Sequence, residues 1–527
     1  MTGSVFVSST EAAALVPSGA TVAFCGSAKV GVPEAVLNAL GQRFGRSGEP
    51  AGLTLYFPVE SGDRRGVGME HLAQPGMLRR LVAGAFIFTG TRQPAETTRM
   101  VLDNEVEAYN LPMGVMYHLL REVAAGRPGL ITRVGLGTFV EPDLGGGKLN
   151  ARTTEDLVEY VEIAGERFLR YRPIPIDVAI IRGTTADEDG NISMEREASL
   201  QGVLVMAQAA KASGGVVIAE VMRRTGRGTI NPQAVRVPGM LVDAVVVNPD
   251  QQQLVDEPYR PSLSGEGRIP VDELVLPEMN LAARVIARRA IQELSDGWNV
   301  NLGFGLGAYI PTVLTQEFPG RRMAFFVEQG AAGGVPLPGG GFGASVNPSS
   351  IVEMPSWFDF LDSGAFDATC LGWGEVDAEG SVRNHQVGAV LSGCGGFIDI
   401  TSRVPRIVYC GTFTAGGLQT TFQDGRLIIQ KEGRHQKFVP HISAPTMSGP
   451  MATARGQRVT YITERAVFEL RPDGLALCEL APGIDLETIR DLIPFDILVA
   501  DDLHTMDPGL FAGNGTPGPG PVSVAAR

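Results

Sequence analysis

Three short runs in the first half of the chain, DVAIIRG (177–183), GGVVIAEV (214–221) and LVDAVVV (241–247), are apolar at consecutive positions rather than alternate ones. A strand with one wet face alternates apolar and polar residues. A run that is apolar on both parities has to be buried on both faces, the situation of an inner strand in a parallel sheet covered by helices. Helix-like stretches separate such runs, for example TEDLVEYVEIAGERFL (154–169) and ASLQGVLVMAQAAKASGG (198–215). The alternation predicts an α/β protein with mainly parallel sheets. At 527 residues the chain exceeds what one core organises, so two or three domains are expected.

The chain also repeats itself. TEAAALVPSGATVAFCGSAKVGVPEAVL opens the first half, and IQELSDGWNVNLGFGLGAYIPTVL opens the second. Both run helix, Gly, Val-centred strand, Gly-rich turn, Pro, helix. Gly19, Val22 and Pro33 match Gly297, Val300 and Pro311 at one fixed offset, and ADEDGN (186–191) is echoed by VDAEGS (376–381). Between the halves, DEPYRPSLSGEGRIPVDELVLPE (256–278) is rich in Pro, Gly and charge and reads as a linker. Asn280 is placed to cap a helix whose apolar stripe is Ala283, Ile286, Ala287, Ala290, Ile291 and Leu294. The expected organisation is two related domains, 1–255 and 279–512, with a disordered Pro/Gly-rich tail at 513–527.

Several function classes are disfavoured. A net charge of −14 argues against a general nucleic-acid binder, which needs clustered Lys and Arg. No run approaches the ~18 apolar residues of a membrane span, and the N-terminus lacks the pattern of a secretory signal. A cytoplasmic protein is therefore expected. The five cysteines are odd in number and form no C-x-x-C pair, and the six histidines are scattered, so neither a disulfide framework nor a metal site is predicted. P-loop, dinucleotide, G-x-S-x-G and H-E-x-x-H patterns are missing. Cys394, in SGCGGF, reads as a small buried residue rather than a reactive thiol.

Glu328 remains. The apolar run Ala324 to Val327 stops at this acid, and seven glycines follow within fifteen residues. A strand can end in a polar residue simply because it reaches the surface. Here the strand is apolar on both parities, so its end falls at the carboxyl edge of a buried sheet, where ligands bind in open α/β folds. The glycines bring main-chain N–H groups close without side chains in the way. No basic residue stands in the immediate stretch to make a salt bridge. A carboxylate so placed can act as a nucleophile.

The run VEQGAAGGVPLPGGGFGASVNPSSIVEMPSWFDFLDSGAFD (327–367) resembles the catalytic segment of family I CoA-transferases. So does SGCGGFIDITSRVPRIVYCGTFTAGGL (392–418). VGLGTFVEPDLGGGKLN (134–150), VAIIRGTTADEDGNIS (178–193), RVIARRAIQEL (284–294) and TERAVFEL (463–470) match the same family, covering roughly residues 11 to 495 in order. The likeness is greatest to the fused-chain acetate/propionate (3-oxoacid type) enzymes. It implies a CoA-transferase (ribose-5-phosphate isomerase-like) fold in tandem. It also implies transfer of CoA from a short or medium acyl-CoA to a carboxylic acid, in short-chain fatty acid or ketone body metabolism. Glu328 would be the nucleophile and would carry a glutamyl-CoA thioester in a ping-pong cycle. Gly395 and Gly396 match the turn whose amides serve the thioester oxygen, and Phe304 and Gly305 match the turn lining the pantetheine tunnel. No metal or permanently bound cofactor is implied; coenzyme A is substrate and covalent intermediate. Relatives form homodimers or homotetramers.

Two departures stand out. Met113, in AYNLPMG (108–114), occupies the place of the family's glutamine, and Met has no N–H to donate. GAFIFTG (84–90) replaces a GHWG-like turn. Both changes fall in the half expected to face the acyl group and suggest a more apolar acyl pocket. Hydrolysis of acyl-CoA on the same nucleophile and non-catalytic acyl-CoA binding are the alternatives. Asn347, Asp359, Asp362, Asp187 and Asp377 read as structural, and Lys148 as an exposed loop lysine.

Overall fold

The computed structural model describes residues 5–86, 95–270, 273–274 and 278–512. The chain divides into two compact units. The first comprises 1–269 together with Glu328–Asp359 and Gly388–Asp399; the second comprises Pro270–Val327, Phe360–Val387 and 400–527. The break at 269/270 lies within the expected linker. The Glu328 segment, by contrast, packs with the first unit although it was read as part of the second half. The 513–527 tail and part of the GAFIFTG stretch lie outside the described residues.

The first unit is built on strands β1 (Val5–Val7), β2 (Thr21–Phe24), β3 (Leu53–Val59), β4 (Leu78–Ala85), β5 (Glu107–Asn110), β6 (Val178–Ala186), β7 (Val216–Arg224) and β8 (Ala244–Val247). Their order is β1-β8-β7-β6-β2-β3-β4-β5, and every pairing along it is parallel. The three both-parity runs become β6, β7 and β8. All nine residues of β6 are buried, as the pattern requires. Helices α1 (Glu34–Ser47), α2 (Met113–Ala124) and α3 (Val203–Ala212) accompany these strands. Val36, Leu37 and Leu40 of α1 join Val22, Phe24, Leu55 and Phe57 in one apolar cluster.

The second unit repeats the theme. Helix α4 (Leu281–Gln292) is capped by Asn280, whose side-chain oxygen accepts from the Ala283 amide at 2.9 Å. Strand β9 (Asn299–Leu302), helix α5 (Ile310–Glu317) and strands β10 (Ala324–Val327), β11 (Ala368–Leu371), β12 (Arg406–Cys410) and β13 (Arg458–Ile462) follow. Parallel pairing runs β10-β9-β11-β12-β13. An antiparallel meander extends it through β14 (Ala466–Arg471) and β15 (Gly474–Leu480).

The repeat is visible in the turns. Asp187 accepts the amides of Asp189 and Asn191, and Asp377 those of Glu379 and Ser381, so both are turn residues. One expected helix is absent. The stretch 154–169 forms a hairpin, Val158–Ile163 against Glu166–Tyr171, with both turn residues, Ala164 and Gly165, at positive φ. A two-residue turn of that kind suits the twist of paired strands, and VEYVEI carries the β-branched and aromatic residues strands favour.

Candidate active site

Glu328 follows directly on β10 and opens the segment counted with the first unit. The side chain is half-buried, so solvent reaches it, but enough protein surrounds the carboxyl to disfavour charge. Burial pushes its pKa up to about 7, opposed only weakly by Gln329, whose amide nitrogen lies 3.4 Å away. No cationic side chain pairs with it among the described residues. Gln329 is itself held: Ser199 Oγ donates to its main-chain oxygen at 2.6 Å. Gly330 then turns the chain at φ 107°, pressed so close that a Cβ would meet the Val352 carbonyl at 2.0 Å. This is what the glycine-rich run does locally: it folds the chain back tightly behind the acid.

Opposite the carboxylate stands Gly396. A Cβ there would lie 2.8 Å from Glu328 Oε2 and 3.1 Å from the Phe358 ring, so only glycine allows this approach. The flanking turn is bound to the end of β4. The Phe86 amide donates to Ser392 O at 2.8 Å, and the Gly395 amide to Gly84 O at 2.8 Å. Asn110, wholly buried at the end of β5, ties both sides together. Its Nδ2 donates to Ala83 O at 3.0 Å and Gly84 O at 2.6 Å, and its Oδ1 accepts the Cys394 amide at 2.9 Å. The Gly395 amide is thus already committed, whereas the Gly396 N–H makes no hydrogen bond within the described residues. Cys394 is buried, and burial raises its thiol far above the ordinary range, so it stays protonated and inert.

Met113 begins α2, its amide donating to Gly395 O at 2.9 Å. Its side chain has no exposed surface, which makes it a packed wall in this conformation. The first turn of α2 lacks a local side-chain cap and takes one from far away. Asp399 accepts the Gly114 and Val115 amides, each at 3.1 Å, through its two oxygens. Glu328, Gly395, Gly396 and Met113 are therefore brought together within the first unit. Phe304 and Gly305 lie in the second, at the carboxyl end of β9; Phe304 is 48% exposed and Gly305 stands at φ 121°.

Asn110, Asp399 and Ser199 were not singled out from sequence. Asn110 closes an otherwise buried strand and Asp399 sits in the apolar helix start GFIDIT, which is the signal that could have found them. Asn347 holds the Ile269 main chain through both side-chain atoms, Asp359 pairs with Arg121, and Lys148 pairs with Asp156. Asp377, Glu379 and His441 bring ligand atoms within 4.8 Å, but the Asp377 oxygens already accept main-chain amides, including that of Ile442.

Residues 6–248 match the family model described as Coenzyme A transferase. The caffeate CoA-transferase of Acetobacterium woodii is 39% identical over 96% of this chain and 97% of its own length. The chain belongs to the CoA-transferase family. The acetate CoA-transferase YdiF of Escherichia coli K12 is likewise 39% identical, over 96% of this chain and 94% of its own. A crystal structure of YdiF from E. coli O157:H7, described as a thioester complex with CoA, superposes with a TM-score of 0.91 at 36% identity, covering 98% of both chains. The protein is thus a fused-chain CoA-transferase with coenzyme A as substrate. No helix among the described residues is long and apolar enough to cross a membrane.

Proposed function

We propose that this transferase moves CoA from a short or medium acyl-CoA to a carboxylic acid by a ping-pong cycle through a thioester on Glu328. The observation that carries this reading is the carboxylate of Glu328, unpaired with any cation among the described residues and facing the bare main chain of Gly396. The Glu328 oxygen attacks the thioester carbonyl, the C–S bond breaks, and an acyl–glutamyl anhydride and CoA thiolate result. The thiolate then attacks the glutamyl carbonyl and expels the first carboxylate, leaving glutamyl-CoA. A second carboxylate reverses these steps. Each tetrahedral intermediate bears an oxyanion, for which the Gly396 N–H is the available donor. One such preorganised donor is worth about 2.7–4 kcal/mol. Partial desolvation strengthens the carboxylate as a nucleophile, and the CoA handle supplies binding energy remote from the reacting carbon. Met113 in place of a polar residue favours an apolar acyl group. The E. coli relative crystallised as a CoA thioester complex is consistent with such an intermediate.

The test is mass spectrometry after incubation with a panel of acyl-CoAs and no acceptor, with borohydride reduction in parallel. A CoA adduct on the peptide bearing Glu328, absent in Glu328→Ala, is expected. Steady release of free CoA with no adduct would replace transfer by hydrolysis.

A further inference from the structure

Strand β10 ends at Val327, so Glu328 and Gln329 lie outside the alternation that sends neighbouring strand side chains to opposite faces. Here the second side chain reaches back to the first: the Gln329 amide nitrogen stands 3.4 Å from Glu328 Oε1. The other oxygen of the acid meets a different group, since a Cβ on Gly396 would lie 2.8 Å from Oε2. The two oxygens of one carboxylate are thus distinguished, with an amide N–H on one side and bare main chain on the other.

Gln329 is held from several sides. Ser199 Oγ donates to its main-chain oxygen at 2.6 Å and accepts the Gln201 amide at 3.2 Å. The side chain runs over Gly343, where a Cβ would lie 2.8 Å from Gln329 Cγ and 3.1 Å from Cδ, so a later glycine of the same run clears its path. Yet the carboxamide makes no bond that serves the fold. Gln329 is 4% exposed, its Oε1 is buried without a hydrogen-bond partner, and among the described residues its side-chain nitrogen reaches only Glu328. Buried amides are nearly always bonded, and a catalytic role is one of the few reasons for an exception. An ionised carboxylate can only accept, so the nitrogen is the end of the amide that suits this position.

We propose that Gln329 is a catalytic residue, its side-chain N–H holding the Glu328 oxygen that stays on the glutamyl carbon throughout the cycle and stabilising the negative charge that builds there. The inference rests on the covalent reading of Glu328. Oε2, on the Gly396 side, is then the oxygen that attacks the acyl-CoA. When the CoA thiolate adds to the Glu328 carboxyl carbon, the S–C bond forms and the carbonyl electron pair moves onto Oε1. Collapse breaks the bond to Oε2, which departs with the first acid. The acceptor carboxylate then bonds to the same carbon, the pair moves onto Oε1 again, and the C–S bond breaks to release the thiolate. In the free carboxylate the charge is shared between two oxygens, whereas in these two steps it is concentrated on Oε1, so the 3.4 Å contact shortens as the reaction proceeds.

Gln329→Met tests this, because methionine is similar in length and has no N–H. The glutamyl thioester is formed from acyl-CoA without acceptor, with carbon-13 in the glutamate carboxyls, so that infrared difference spectra show its carbonyl stretch and Glu328→Ala assigns it. In Gln329→Met the band is expected at higher frequency, with kcat about 10²-fold lower and KM for acyl-CoA little changed. The variant also loses a buried oxygen that has no partner, so its melting temperature should equal or exceed the parent's. A side chain that merely packs would lower the melting temperature and leave the band in place. The parent gives a measurement that needs no variant: its band should lie below that of a glutaryl S-alkyl thioester in a solvent without N–H or O–H donors. A parent band equal to that reference, an unmoved band in Gln329→Met, an unchanged kcat, or a loss carried by KM alone overturns the role. No adduct in the parent sinks the covalent reading, and this inference with it; a parent adduct whose band ignores the variant sinks this inference alone.

Discussion

The first unit buries acids in two ways. Glu220, in the middle of β7, and Glu197, in the loop between β6 and α3, are almost wholly enclosed, and burial raises both. Each is nonetheless fully engaged. Glu197 pairs with Arg182, whose guanidinium also donates to Val32 O and Gln252 O, and accepts from Gln251 at 3.1 Å. Glu220 accepts from Asn248 and from the Val36 amide, capping α1 from the neighbouring strand. Glu328 is less enclosed, and among the described residues it has only one weak hydrogen-bond neighbour, at 3.4 Å. The difference teaches where to look for chemistry. An acid whose charge is answered on all sides holds the fold, while one left unanswered at a strand end is free to react.

If that contrast holds, the two kinds of acid should fail in different measurements. Glu328→Ala should lower CoA exchange by about 10⁴-fold or more, the scale of losing a nucleophile. Its thermal midpoint should be unchanged or higher. Arg182→Met should do the reverse: stranding the Glu197 carboxylate costs about 3–5 kcal/mol, read as a lower denaturant midpoint, with the exchange rate of the folded fraction preserved. Asn110→Asp tests a residue between the two classes. It cannot donate to the Ala83 and Gly84 carbonyls, so the turn carrying Gly396 loosens. We expect kcat to fall about 10²–10³-fold, the cost of losing one oxyanion donor, while KM for acyl-CoA changes little. A purely structural role would instead lower the melting temperature and leave kcat of the folded fraction intact.

Two pH effects sharpen the contrast further. In the proposed cycle only ionised Glu328 attacks, so single-turnover adduct formation should rise about tenfold per pH unit below the group's pKa and level off above about 7. A flat profile from pH 5 to 8 would contradict the burial of this carboxyl. The smallest effect concerns stability. The folded pKa is raised, so between the unfolded value and about 7 the native state binds more protons than the unfolded chain. Stability contributed by this group therefore falls as pH rises through that window. Glu328→Gln should melt higher than the parent at pH 8 and equal to it near pH 4.

Much of this was legible in sequence because it is local. Both-parity runs announce strands buried on two faces, and a lone acid at a strand end followed by glycines announces a carboxyl set against bare main chain, as Glu328 is against Gly396. The missed hairpin at 158–171 shows the limit of periodicity: VEYVEI and ERFLRY suit a helix face, and the Ala164-Gly165 turn decides otherwise. The bonds of Asn110 to Cys394 and of Asp399 to α2 could not be read from spacing. Their partners lie 284 and 285 residues away for the Cys394 and Gly114 amides, and a polar residue in an apolar stretch says that it has a partner without saying which.

That remote cap has a consequence for the order in which the protein is made. Met113–Ala124 leaves the ribosome long before Asp399 exists to close its first turn, and the first unit lacks Glu328–Asp359 and Gly388–Asp399 until then. At translation speeds of 5–20 residues per second the wait is roughly 14 to 57 s. The nascent first unit spends that interval with the amides of Gly114 and Val115 unprotected, so its final closure is a late event timed by synthesis of the second half.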